Sequence, residues 1–99
     1  MLRLVGLGMR SRGAIVGVQQ VRDAAKRGTL KLAIVARDAS VHSRGKVVPL
    51  LTARRIRFVE VPSANELGAA VGRDQTTAVG ILDRQLAVGI WDLVKSEAE

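Results

Sequence analysis

The sequence feature that most constrains the fold is the apolar run from Leu30 to Ala36, LKLAIVA. A run of this length that is nearly all apolar and partly β-branched predicts a strand buried on both faces of a sheet. Residues 56–61 and 77–82 predict two further strands, and residues 14–16 predict a very short one. We therefore expect a sheet of about four strands.

Helical segments separate these strands. From Gly17 to about Arg27 the apolar residues fall on one helical stripe, and Gly28 follows as a helix-ending glycine. Further helices are predicted over residues 2–9, 49–55, 63–71 and 85–95, whereas residues 37–46 are polar and predict a loop. In the last helix the residues expected to face inward are Leu86, Ile90, Leu93 and Val94, with Trp91 at one end of the core. This alternation in 99 residues predicts one domain, residues 1–99, of the α/β class.

The basic residues are concentrated in the first half of the chain. Residues 1–57 contain 13 of the 16 basic residues and two acids, whereas residues 58–99 contain three basic residues and seven acids. A concentrated positive charge attracts polyanions, of which nucleic acid is the commonest in a cell. The alternative is a soluble basic protein whose charges only keep it dispersed.

Composition argues against several classes of protein. The chain has no cysteine, which rules out disulfides and thiol metal sites and fits a reducing compartment, so we expect a cytoplasmic protein. No stretch approaches the ~20 apolar residues of a membrane span. The apolar N-terminal run is interrupted by Arg3 and lacks a cleavage site for secretion. Because neither a Walker-type loop nor a metal-ligand cluster is present, we expect no cofactor, no metal and no small-molecule substrate.

The sequence does not indicate an enzymatic site. The single histidine, His42, lies in a polar segment between Ser40 and Ser43, with no acid placed to orient its ring. Asp38 and Asp83 both follow strands, where catalytic carboxylates often lie, but a helix-capping or turn role is simpler for Asp38. We predict that the chain is not an enzyme.

Several motifs, taken in order, resemble one known family. The run from Gly17 to Asp38, GVQQVRDAAKRGTLKLAIVARD, is similar to a segment of the kink-turn-binding ribosomal protein superfamily, which includes the archaeal seven-Ae and eukaryotic thirty-e proteins. That segment reads G-x-N-E-x-x-K, then a helix ending in Arg-Gly, then an apolar strand. The resemblance continues through residues 49–51, 61–63, 66–72 and 78–81. The N-terminal LVGLGMRSRG and the later ILD look most like bacterial YlxQ-type members.

This resemblance implies a fold and a site. The implied fold is a three-layer α/β/α sandwich around a small mixed sheet. The implied activity is RNA binding through the N-terminus of the second helix and a loop near the last strand. The RNA-binding residues that we predict are Gly17, Val18, Gln19, Gln20, Arg22, Lys26, Arg27, Lys46, Arg73 and Gln75.

The start of the second helix is chemically suited to RNA. Gly17 lets the backbone approach a ligand closely, and the free amides at the positive end of the helix favour phosphate. Gln19 and Gln20 each offer a donor and an acceptor, which suits base edges. Arg27, two turns beyond Gln20 on the same face, is in reach of a phosphate. The alternative is that both glutamines are solvated polar residues of an amphipathic helix.

The sequence also departs from the family pattern. Gln19 and Gln20 stand where kink-turn readers carry Asn and Glu, and Asp23 and Ala64 stand where lysines are found. The loop of residues 73–77 is polar, whereas the family loop is often apolar. Arginines elsewhere replace the lost lysine charge; they are Arg10, Arg12, Arg22, Arg44, Arg54, Arg55 and Arg57. We therefore expect general RNA binding and leave strict kink-turn specificity open.

These observations together predict a non-catalytic protein that recognises structured RNA, either kink-turn-like or ribosomal. With one Trp, one Phe and no Tyr, stacking of bases on an aromatic platform is not expected. The predicted partner is the ribosome or another ribonucleoprotein, and no membrane partner is expected. The alternative is a protein-interaction module of the same fold with no specific RNA target.

Overall fold

A computed structural model describes residues 1–98 of the chain and the side chains of residues 1–96. Helices and strands alternate along it. In chain order they are α1 Leu2–Arg10, β1 Ala14–Val16, α2 Val18–Arg27, β2 Leu32–Ala36, α3 Val41–Gly45, α4 Val48–Ala53, β3 Phe58–Val61, α5 Ala64–Ala70, β4 Ala78–Ile81 and α6 Arg84–Ala98. The predicted strands are all present, although β2, β3 and β4 are shorter than the sequence runs that predicted them.

The four strands form one mixed sheet in the order β1-β4-β2-β3. Strands β2 and β3 are parallel, and β4 is antiparallel to both of its neighbours. As a result, β1, β2 and β3 end where β4 begins. We call this side the upper end of the sheet and the opposite side its lower end.

The sheet separates two apolar cores. Helices α2 and α4 cover one face, with Val21 and Leu51 fully buried there, and α1, α5 and α6 cover the other, with Leu67 and Ile90 fully buried. Side chains of β2 alternate between the two cores, so this strand is buried on both faces as predicted. The predicted three-layer α/β/α sandwich is confirmed.

Two local predictions are wrong. Residues 41–45 form the short helix α3 inside the predicted loop, because the Ser40 hydroxyl caps it by accepting from the Ser43 N–H at 3.1 Å. In α6, Ile90 is fully buried as predicted, but the Leu93 side chain is 41% exposed. The buried stripe of α6 runs through Ala87 and Ile90, and Leu93 lies at its margin.

The segment before β4 packs tightly on α5. A Cβ atom at Gly68 would lie 2.6 Å from the carbonyl carbon of Asp74 and would overlap its oxygen, so this contact requires glycine. The Arg73 N–H donates to the Gly68 carbonyl at 2.8 Å, and the Thr76 N–H donates to the Ala64 carbonyl at 3.0 Å. Residues 72–77, the pre-β4 loop, therefore run back along α5 to the upper end of the sheet.

No helix in the described part of the chain is long and apolar enough to cross a membrane.

Candidate nucleic-acid interface

The upper end of the sheet brings distant segments together. The Gly17 N–H donates to the Ala78 carbonyl at 2.9 Å, which joins the start of α2 to the start of β4. The Ala36 N–H donates to the Thr77 carbonyl at 2.8 Å, which joins the end of β2 to the pre-β4 loop. The start of the second helix and the loop before the last strand are therefore neighbours.

Helix α2 begins without a side-chain cap. Gly17 has φ 106° and ψ 154°, a conformation that disfavours any residue with a Cβ atom, and nothing lies within 4 Å of where a Cβ would be. The first helical hydrogen bond of α2 runs from the Val21 N–H to the Gly17 carbonyl, at 3.0 Å. The amides of the preceding turn, together with the positive end of the helix dipole, face an open approach. This arrangement suits a phosphate group.

Helix α5 starts at the same end but has its caps in place. The Ser63 hydroxyl accepts from the Glu66 N–H at 3.2 Å, and the Asp38 carboxylate accepts from the Ala64 N–H at 2.7 Å. The capping role expected for Asp38 is therefore confirmed. Because the cap of α5 is already negatively charged, phosphate is favoured at α2 instead.

The polar residues of α2 share one exposed face. At 100° per residue, Gln19, Gln20 and Arg27 lie within about a third of a turn of each other, on the other side of the helix from the buried Val21 and Ala25. Arg27 ends the helix about 10 Å from Gln20 along its axis, at the lower end of the sheet. The structure thus places Gln20 and Arg27 on one face of α2 but at opposite ends of it.

Two interactions order this face. The Gln19 amide donates to the Asp23 carboxylate at 2.9 Å, so an acid of the chain already occupies one of its two N–H donors. The Arg22 guanidinium donates to the Lys46 carbonyl and so holds the segment before α4 against α2. Lys46 is exposed and therefore adds its charge to that of Lys26, which lies on the exposed face of α2 near its end.

The other two predicted residues lie in the pre-β4 loop. Gln75 lines a cavity of about 290 Å³ at the upper end, together with Asp38, Ser40 and Thr77. Arg73 lies beside the middle of α5, on the opposite face of the sheet from α2. The structure therefore brings Gln75 to the upper end but does not bring Arg73 together with α2.

Sequence reasoning missed two features of the upper end. Arg44, counted among the arginines that replace the lysine charge, binds the Glu60 carboxylate at 2.8 Å and the Ala36 carbonyl at 3.3 Å. Its charge is therefore used to hold α3 on the sheet. Val41, at the start of α3, is an apolar residue with 88% of its surface exposed. Both residues belong to α3, so a prediction of a loop over residues 37–46 gives neither of them a defined position.

The residues weighed for catalysis do not converge. His42 is exposed on α3 and does not line the cavity that contains Asp38, and the Asp38 carboxylate already binds the start of α5. Among the described residues, no group of three His, Cys, Asp or Glu side chains is placed to hold a metal ion. That the chain is not an enzyme stays a prediction.

Two solved structures are similar to this fold. A protein of unknown function from Bacillus halodurans C superposes with a TM-score of 0.87 at 28% identity, over 95% of each chain. The Giardia lamblia 15.5kD RNA binding protein superposes with a TM-score of 0.80 at 23% identity, over 96% of this chain and 84% of that one. These similarities confirm the predicted fold.

Two sequence comparisons define the family. The large ribosomal subunit protein eL8 of Cenarchaeum symbiosum (strain A) is 36% identical over 81 residues, which are 81% of this chain and 64% of that protein. This chain thus spans less than two thirds of that relative. The model of the ribosomal protein L7Ae/L30e/S12e/Gadd45 family matches residues 1–88, which confirms the resemblance found in the sequence. The chain belongs to the ribosomal protein L7Ae/L30e/S12e/Gadd45 family.

Proposed function

We propose that this chain is a non-catalytic protein that binds structured RNA of the kink-turn type through the start and the exposed face of α2. The observation that carries the proposal is the uncapped start of α2 at Gly17, with Gln19 and Gln20 directly after it. The family membership and the ribosomal relative support structured ribosomal RNA as the target class. A cytoplasmic location is part of the same proposal.

The two glutamines have different roles in this proposal. One of the two side-chain N–H donors of Gln19 binds Asp23, so Gln19 has one donor fewer for a base edge and its orientation is fixed. Gln20 is exposed and keeps both donor and acceptor for a bidentate contact with a base. We therefore infer that Gln20 is the principal reader of base identity and that the free amides of the turn after Gly17 position the neighbouring phosphate.

The cations of this surface would follow the RNA backbone. Arg22, Lys26 and Arg27 run along α2, and Lys46 flanks it, so a strand lying on the helix passes from the upper to the lower end of the sheet. Gln75 borders the start of this path. Contacts of this kind supply affinity that weakens with salt, whereas the glutamine contacts supply specificity.

The test is a fluorescence-anisotropy titration of wild type and Gln20→Ala against a kink-turn RNA, a matched plain duplex and a DNA duplex, each at two salt concentrations. A bidentate base contact is worth about 1–3 kcal/mol, so Gln20→Ala should bind the kink-turn RNA about 5- to 150-fold more weakly. Binding to the plain duplexes should not change. Gln85→Ala is the matched control, because Gln85 is an exposed glutamine at the lower end of the sheet.

Two results would contradict the proposal, the first in full and the second in part. If wild type binds all three nucleic acids equally, and if this binding collapses at high salt, the basic half of the chain only attracts polyanions. If wild type prefers the kink-turn RNA but Gln20→Ala does so equally, RNA binding stands and the assignment of Gln20 is wrong.

A structural observation also favours the alternative, a protein-interaction module. Leu7 on α1 is 51% exposed, and Val88 and Leu93 on α6 are also exposed. All three lie on the helices that cover the opposite face of the sheet from α2. A protein partner on these helices would bind with little dependence on salt and would leave the α2 surface open for RNA.

A further inference from the structure

A second basic surface lies away from α2. Lys31, Arg57, Arg84 and Lys95 line a groove of about 450 Å³ between α6 and the starts of β2 and β3, and Trp91 lies at its side. We call this surface the basic groove. One acid, Asp92, is also among the residues that line the basic groove.

The cations of the basic groove form no ion pair with an acid whose side chain the structure describes, Asp92 included. Among the side chains that the structure describes, the salt bridges within 4.0 Å are both made by Glu60, at the upper end of the sheet. The guanidinium of Arg57 instead lies 4.9 Å from the centre of the Trp91 ring. This contact attracts the guanidinium to the ring without neutralising its charge.

The backbone holds this groove in shape. The Lys31 N–H donates to the Ile81 carbonyl at 2.8 Å, and the Ala33 N–H donates to the Arg57 carbonyl at 3.1 Å. Two of the four cations are therefore anchored at the ends of adjacent strands, while Arg84 and Lys95 come from well-separated turns of α6. Positive charge is thus spread along the groove, as a chain of phosphates requires.

The groove connects with the end of the α2 surface. The Arg54 guanidinium donates to the Lys26 carbonyl at 3.5 Å, which joins the end of α2 to the segment before β3. Arg55 and Arg57 follow in that segment, so basic residues continue around the lower end of the sheet to the basic groove. Residues 54–57 contain no acid, so a polyanion that extends from Arg27 to the groove is not repelled by this segment.

We propose that the basic groove binds the phosphate backbone of an arm of the RNA that lies beyond the part bound at α2. The inference rests on the proposed function, since it assigns a second contact to the same ligand. The protein measures 29 × 28 × 27 Å, which sets the length of RNA needed to run from the start of α2 to the groove. A short RNA therefore ends before the groove, and a longer one reaches it.

The first experiment compares two kink-turn RNAs, one with a minimal arm and one with that arm extended by about 10 base pairs. Lys31→Gln and Arg84→Gln should each weaken binding of the extended RNA about 3- to 10-fold and lower the salt slope by about 0.7–0.9, because each removes one phosphate contact. Binding of the minimal RNA should not change. Arg3→Gln is the matched control, because Arg3 is an exposed arginine in the first turn of a helix on the same sheet face.

The second experiment uses Trp91, the only tryptophan of the chain, as a reporter of groove occupancy. Its fluorescence should change when the extended RNA is added and should not change with the minimal RNA. Arg84→Gln should reduce that change, whereas Gln20→Ala should only shift it to higher RNA concentration. An equal response to free ATP at the same concentration would overturn the assignment to RNA, because the groove would then bind a mononucleotide.

The two proposals fail separately. Loss of binding in Gln20→Ala with no effect of Lys31→Gln or Arg84→Gln on either RNA overturns the groove and leaves the proposed function intact. An effect of the groove variants with none of Gln20→Ala overturns the α2 site and leaves the groove as a nucleic-acid surface. An equal effect of Arg3→Gln would show that only total charge matters, which also overturns the groove.

Discussion

Gly68 provides a direct test of how the pre-β4 loop is held beside α5. Gly68→Ala adds one methyl group in the middle of this helix, facing the carbonyl group of Asp74. The obstacle is backbone, which cannot rotate away as the end of a long side chain can. Either the pre-β4 loop moves or α5 shifts.

The magnitude follows from the contacts that the movement breaks. The Cβ atom would overlap the Asp74 carbonyl oxygen and lie 2.6 Å from its carbon, so the loop must move by about 2 Å to reach normal contact. This weakens the hydrogen bonds from Arg73 and Thr76 to α5, at about 1 kcal/mol each. Overpacking adds about 1–3 kcal/mol, and the better helix propensity of alanine returns about 1 kcal/mol. The expected loss in the free energy of unfolding is therefore about 2–4 kcal/mol.

Thermal and urea unfolding, followed by circular dichroism, measures this loss. For a chain of this size the expected decrease in Tm is roughly 10–30 °C. Gly45→Ala is the matched control: Gly45 is also a helical glycine, but nothing lies within 4 Å of its Cβ position, so its Tm should change by no more than about 5 °C. If Gly68→Ala is as stable as Gly45→Ala and the amide chemical shifts of residues 72–77 do not move, the loop does not pack on α5 as described.

Two further predictions concern acids of the chain, Asp23 on α2 and Asp38 beside the start of α5. Asp23→Lys should tighten RNA binding and steepen the logarithmic salt dependence by about 0.7–0.9, because it replaces a repulsive carboxylate on the α2 face with one new phosphate contact. Glu66→Lys makes the same charge change on α5 and should not tighten RNA binding, so an equal gain in both variants would refute the reasoning. Asp38→Ala should lower the free energy of unfolding by about 1–2 kcal/mol through loss of the acceptor for the Ala64 N–H, whereas Asp38→Asn should lose less; equal stability of all three in urea would contradict this.

Much of the fold could be predicted from local patterns. Gly28 was expected to end the second helix, and it does so in the left-handed conformation with φ 77°. The apolar run around Ile34 predicts burial on both faces, and its side chains alternate between the two cores, with Ile34 and Val35 both fully buried. These features depend on neighbouring residues only, so periodicity and glycine positions are sufficient to predict them.

Features that depend on distant residues were not accessible in the same way. The α3 helix is five residues long and has no apolar stripe, and it is held by Arg44 through an ion pair with Glu60 on another strand. The basic groove likewise combines Lys31, Arg57 and the end of the chain, which only the tertiary fold brings together. The Gln19–Asp23 bond, by contrast, joins residues four apart on one helix and could have been expected from that spacing.

The position of β4 has a consequence for the order of folding. β4 is the last strand along the chain, yet it lies between β1 and β2, and Ala14 pairs with Ile81. Strand β1 and the start of α2 are held by β4, since Gly17 binds Ala78. During synthesis the first third of the protein therefore leaves the ribosome before β4 is present to anchor it, and closing so long a loop is slow. If RNA binds at the start of α2 as proposed, an incomplete nascent chain without β4 should not bind RNA.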